Sequence, residues 1–159
     1  MKLYHGSNVE IHTPDLSRSK PYKDFGQGFY LSDNYPQAEE MAMHKVDQLQ
    51  TGSKCISVFE FEEQHLSSGQ LEIKIFDDYS EEWAYFILAN RDKKNTKPVH
   101  HYDIVIGPIA DDGVTFQLRR FSIGIIPMEK LIEELKFSKG KTIQYFFGTE
   151  KALNYLIKL

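Results

Sequence analysis

The run Asp24-Phe25-Gly26-Gln27-Gly28-Phe29-Tyr30-Leu31-Ser32-Asp33 constrains this chain more than any other stretch. Two glycines two residues apart leave one side of a strand without side chains, an aromatic pair follows, and Ser32-Asp33 supplies a helix-starting signal. A strand of this kind, with Tyr30 offering a flat ring, suits a ligand with a planar head.

The rest of the chain reads as one continuous domain of 159 residues, without repeats, low-complexity tracts or a long linker. A domain of this length buries roughly 70% of its unfolded surface, enough for a single core. Short strands are expected at residues 2–5, 28–31, 55–62, 71–76, 102–106 and 142–147, where β-branched and aromatic residues cluster or alternate. Gly107-Pro108 is expected to stop the fifth of these. Helices are expected after Ser32 or Asp33, with Ala38, Met41, Ala42, Lys45 and Leu49 at helical spacing and Gly52 at the end, then at residues 80–91, 128–137 and from Thr149. Residues 14–23 and 92–97 read as loops. Strands and helices intersperse without a Gly-rich strand-to-helix fingerprint and its downstream acid, so the fold class is α+β and not doubly wound.

Composition narrows the function. With 26% charged residues, 41% hydrophobic residues and no apolar run near the roughly 18 residues of a span, a soluble chain without membrane insertion is expected. The absence of an apolar leader makes the cytoplasm the expected compartment. A net charge of −4 disfavours nucleic acid as a partner without excluding it, since a local basic patch such as Arg119-Arg120 remains. Cys55, the single cysteine, has no internal disulfide partner and reads as a strand residue. His100-His101 invites a metal reading, but neighbours on a strand point to opposite faces and no third ligand sits at the right spacing.

Two segments together carry a resemblance. Tyr4-His5-Gly6-Ser7 on the first strand, Arg18 in the following loop and Phe25-Gly26-Gln27-Gly28-Phe29-Tyr30-Leu31-Ser32-Asp33 entering a helix with Ala38 resemble the ADP-ribosyltransferase superfamily, in its His-Tyr branch of diphtheria toxin and the poly(ADP-ribose) polymerases. Over nearly its full length the chain is similar to a bacterial family of uncharacterised domains placed there, through residues 103–112 and 144–149. The resemblance implies a split β-sheet gripping NAD, the co-substrate, with chemistry at the bond between nicotinamide and ribose. It implies that Gly6 hydrogen-bonds the carboxamide through its backbone, with Ser7 beside it. It further implies that His5 orients the adenosine-side ribose hydroxyl, that Tyr30 stacks on nicotinamide beside the bare Gly28, and that Arg18 pairs with the pyrophosphate or the adenine ribose.

Each of these residues also has a structural reading. His5 can be a hydrogen-bonded strand residue, Tyr30 a core aromatic, Gly26 and Gly28 a bulge or close strand approach, and Arg18 a solvated charge. The third catalytic position departs from the enzymes of the branch. Loss of nicotinamide generates an oxocarbenium-like ribose that a Glu ordinarily supports, and residues 142–145 place Gln144 there, an amide without charge or proton affinity. Three outcomes follow, in descending order. Gln144 suffices for transfer of a single ADP-ribose, Asp111 or Asp112 supplies the carboxylate, or the cleft binds NAD without turnover. Glu150 is a further candidate acid, although the helix dipole already explains an acid there, and Asp111-Asp112 reads more simply as a turn or helix cap.

The expected function is therefore mono-ADP-ribosyl transfer from NAD to a macromolecular acceptor, protein before nucleic acid, with His5, Tyr30 and Gln144 as the catalytic set. An intracellular toxin or effector paired with an antitoxin fits the size. The rival expectation is a non-catalytic nucleotide-binding or protein-interaction module on the same fold.

Overall fold

The computed structural model describes residues 1–137 and 141–159. Among the described residues, seven strands form one mixed sheet: β1 (Lys2–Ser7), β2 (Phe29–Ser32), β3 (Cys55–Glu60), β4 (Ile73–Ile75), β5 (Ile104–Pro108), β6 (Ile143–Phe147) and β7 (Ile157–Lys158). Their order is β4-β5-β6-β2-β1-β3-β7, with β4 and β5 parallel and every other pair antiparallel. The helices are α1 (Tyr35–Leu49), α2 (Glu81–Arg91), α3 (Asp112–Ser122), α4 (Met128–Lys136) and the single turn α5 (Glu150–Leu153). The class is α+β.

Period-two alternation sorts the strand residues onto two faces. Leu3, Phe29, Leu31, Phe59, Ile104, Ile106, Tyr145 and Phe147 build one core with Phe61, Leu71, Ala152 and Leu153. Val105 and Phe146 face the other way and pack under α2, α3 and α4 through Trp83, Ile87, Leu118, Leu131 and Leu135. On that same second face α1 covers β1. A Cβ on Gly6 would stand 1.8 Å from the Ala38 carbonyl oxygen, and Tyr4 meets Tyr35 edge-on at 5.3 Å. Only a residue without a side chain lets a helix backbone come this near a strand.

Register is even everywhere except at one seam. β1 pairs with β3 over six residues and β2 with β6 over four, whereas β1 and β2 meet at the single pair Tyr4↔Ser32 and then diverge. The sheet thus consists of β4-β5-β6-β2 and β1-β3-β7, joined narrowly.

Several element boundaries differ from expectation. The cap of α1 is Asn34, whose side chain accepts from the Gln37 N–H, and neither Ser32 nor Asp33; Ser32 Oγ accepts from the Asn34 N–H instead. Gln50 in the left-handed region ends α1 two residues before Gly52. Only Ala38 and Ala42 are buried on α1, while Met41 and Leu49 are exposed, because the close approach at Gly6 leaves room for methyl groups alone. β5 runs through Gly107 and Pro108 to pair with Ile143, since an end position costs proline no ladder donor and bare Gly107 admits Phe25 and Phe76. Helix α3 and strand β7 were not anticipated. Gly113 and Thr115 depress helix propensity in α3, which tertiary burial of Val114 and Leu118 overrides.

Candidate functional site

The seam between β1 and β2 brings the two leading motifs together. His5 Nδ1–H donates to the Tyr30 carbonyl at 2.7 Å, so the imidazole bridges the strands just where their ladder ends. Its ring stacks on Phe29 at 4.4 Å. Burial pulls its pKa down to about 4, outweighing that hydrogen bond, and Lys23 and Lys45 lower it further. The ring is therefore neutral at pH 7, with its second nitrogen, Nε2, a lone-pair acceptor that no described residue occupies.

Alternation places the Tyr30 ring on the opposite face from the His5 imidazole, so the two share a backbone carbonyl and not a common face. The Tyr30 hydroxyl donates to the Gly26 carbonyl at 2.6 Å and accepts from the Phe25 N–H at 3.0 Å. Burial drives its pKa well above the ordinary tyrosine value. Phe146 meets the ring edge-on at 5.2 Å, Phe25 stacks at 6.5 Å, and the Lys23 ammonium sits 5.1 Å over its centre. The stacking seat expected on Tyr30 is thus covered by a lysine.

The glycines act differently from their expected roles. A Cβ on Gly28 would meet the Phe146 ring at 2.2 Å, so its bare side receives a core aromatic and not a ligand. Gly6 is bare for α1 in the same way, which leaves only its backbone for recognition. Ser7 is buried, its hydroxyl 3.4 Å from Asn8 Oδ1. Arg18 ends a 3-10 turn at Leu16–Arg18 and is exposed. The turn reaches the strand through its neighbour Ser19, whose Oγ accepts from the Gly28 N–H at 3.2 Å.

Gln144 lies directly across from Ser32 on β6, on the Tyr30 face. Its Nε2 is buried and donates to no described residue, and Gln37 Oε1 at the start of α1 is likewise a buried acceptor without a donor among the described residues. Buried polar atoms left unpaired cost about 1–3 kcal/mol each and point to a missing partner. The alternative acids are placed elsewhere. Asp111 caps α3 through the Val114 N–H at 2.8 Å, with Asp112 exposed in the first turn, and Glu150 starts α5 beyond the far end of β6 from Gln144. Asp24 is held by Arg91 at 2.5 Å and accepts from the Ala110 N–H at 3.3 Å.

Two site residues escaped the sequence reading. Lys23 is half-buried with its pKa lowered, first by burial and then by Lys45 and Lys20 against the opposing charge of Asp24, and none of the three lysines forms a salt bridge with a described residue. Lys45 shares the helical face of Ala38 and Ala42, and a lysine among buried alanines was the available signal. The seam therefore carries positive charge against the chain's overall −4.

His100 donates from Nε2 to the Phe25 carbonyl at 2.6 Å and accepts at Nδ1 from the Tyr102 N–H at 3.1 Å, so both its nitrogens are engaged within the fold. Among the described residues no three His, Cys, Asp or Glu side chains converge as a metal requires. No described helix is long and apolar enough to cross a membrane. A cavity of about 250 Å³ opens beyond Phe25 and Phe146, lined by neither His5, Tyr30 nor Gln144.

No curated protein matches the chain. Residues 1–157 match the model of a family described as a protein of unknown function (DUF3990), and the chain belongs to that family.

Proposed function

We propose that the chain is a mono-ADP-ribosyltransferase that uses NAD at the β1–β2 seam and modifies a macromolecular acceptor, protein in preference to nucleic acid. The observation that carries this reading is the break in the sheet at the seam, with a neutral His5, its Nε2 acceptor occupied by no described residue, on one face, and Lys23, Lys45 and Gln144 Nε2, which donates to no described residue, on the other. The set fits a dinucleotide: an imidazole acceptor and an amide donor suit ribose hydroxyls, and the cations suit pyrophosphate. When bound, NAD supplies an ADP-ribosyl group whose departure from nicotinamide develops positive charge on ribose. His5 and Gln144 hold and orient hydroxyls; Gln144, as an amide, takes no proton. Lys23 leaves the Tyr30 ring to pair with phosphate, and the exposed ring then stacks.

Calorimetric titration with NAD, followed by incubation of labelled NAD with lysate, tests the reading. Expected are binding that weakens with salt, a loss of about tenfold or more in Lys23→Ala/Lys45→Ala, and protease-sensitive label. Absence of both NAD binding and labelling sinks it. A second reading, NAD binding without turnover, is favoured by one observation: Asp24, Asp111 and Glu150 are all committed or remote, leaving an amide alone at the position of the acid. Intact NAD recovered after incubation, with chemistry appearing in Gln144→Glu, selects it. An antitoxin partner follows only from the first reading and is tested by co-expression with neighbouring open reading frames.

A further inference from the structure

The cavity of about 250 Å³ beside α2 plays no part in the seam, and it is built. Of the aromatic residues around it Tyr22, His100 and Tyr102 are half-buried and Phe25 and Phe146 lie fully buried behind them, with the His100 imidazole 5.3 Å from Tyr102 and 5.7 Å from Phe146. Flat rings on several sides favour a flat guest. The volume falls just under the ~300–1,000 Å³ of pockets for drug-sized ligands, which suits one ring system and excludes a whole dinucleotide.

One polar group in the wall asks for a partner. Asn90 is only 7% exposed, and its Nδ2 donates one proton to the Phe86 carbonyl at 2.8 Å. Its Oδ1 accepts from no described residue and faces Gly26, lying 3.2 Å from where a Cβ would be on that glycine. Gly26 has φ +99° and Tyr22 φ +62°, so the backbone of this wall is held in a conformation that side chains disfavour, and at Gly26 the space in front of the Asn90 amide is thereby kept open. Tyr22 in turn donates its hydroxyl to the Asn95 carbonyl at 3.0 Å, tying the loop before β2 to the loop after α2 across the cavity. His100 offers the guest nothing polar, since both its nitrogens are engaged within the fold. Among the buried residues of the wall Asn90 is the polar one, an amide whose Oδ1 accepts from no described residue and which has one remaining N–H, and it matches a heteroaromatic edge carrying an N–H donor next to an acceptor.

We propose that this cavity is a second binding site, taking a planar heteroaromatic ring of nucleobase size that donates an N–H to Asn90 Oδ1. The site stands apart from the NAD reading of the seam, and its test contains no NAD. The probe is 9-methyladenine, added to isotope-labelled full-length protein while nitrogen–proton correlation spectra follow the Gly26 amide and the Asn90 side-chain NH₂. Saturable shifts of both, with a dissociation constant of about 1 mM or tighter, are expected. Dimethylation of the exocyclic amine removes the donor and should weaken binding about tenfold, as should Ala89→Leu, which fills the cavity from α2 without removing a hydrogen bond. Adenosine monophosphate and single-stranded oligoadenylate, run in parallel, distinguish a free base from one presented on a strand; both presuppose the signal from the base. No shift with 9-methyladenine overturns the proposal. So does toluene binding as well as the base, or equal binding by the dimethylated probe, because either makes the cavity merely apolar.

Discussion

At His5 a single imidazole does the work of a missing ladder. Its pKa of about 4 against 6.5 in the unfolded chain means that, between those values, the unfolded state binds the extra proton. Stability from this residue is complete above pH 6.5, falls as pH drops through the interval, and changes no further below about 4; at ~1.4 kcal/mol per pH unit the loss is about 3 kcal/mol. Urea denaturation of the native protein and His5→Asn at pH 7.5 and pH 4.5, roughly the two ends of the window, should show a steeper pH loss in the native protein. Parallel slopes would mean that the ring is solvated. Strands at residues 2–5 and 28–31 were legible in the sequence from their aromatic and apolar residues, and the structure joins them through His5 Nδ1 and the Tyr30 carbonyl. That the His5 and Tyr30 side chains occupy opposite faces was not legible, since faces depend on register and the β1–β2 register is a single pair. The Lys23 ammonium over Tyr30 was equally hidden, being a contact between a loop and a strand.

Helix α1 shows how one glycine sets the position of an element. Gly6→Ala puts a methyl group 1.8 Å from the Ala38 carbonyl oxygen and 2.8 Å from the Ala42 nitrogen, both backbone atoms that cannot swing aside. The helix must lift from β1, and a loss of about 3 kcal/mol or more is expected in chemical denaturation, against about 1 kcal/mol for Asn34→Ala, which removes only the cap. Equal costs would show that α1 adjusts freely. Because Lys45 rides on this helix, Gly6→Ala also moves a cation of the seam. Helices of strong period were readable from sequence: α2 starts after Ser80 and buries Trp83 and Ile87 as spacing requires. Helix α3 was missed although Val114 and Leu118 are four apart and Asp111 is a good cap, because Gly113 and Thr115 obscured the pattern.

Across the whole molecule, an ion pair ties the glycine-rich loop to the helical layer. Arg91 at the end of α2 donates Nε to Asp24 at 2.8 Å and its terminal nitrogens to Thr115 Oγ1 at 3.2 and 3.3 Å, while Asp24 also receives the Ala110 N–H. With side chains 28% and 16% exposed, the pair is screened only in part. A double-mutant cycle with Asp24→Asn and Arg91→Gln should return a coupling of about 1–2 kcal/mol, and a value near zero would show that the loop is held by its other contacts, those of Tyr30, His100 and Ser19 among them. The α+β class was legible from interspersed strand and helix signals, whereas the strand order was not, because pairing β6 with β2 joins residues more than a hundred positions apart. The lone Tyr4↔Ser32 bridge gives the molecule a mechanical character. The two parts of the sheet share one ladder pair and the His5–Tyr30 bond, so flexing one part against the other disturbs fewer backbone hydrogen bonds than a deformation across the six-residue β1–β3 ladder or the four-residue β2–β6 ladder.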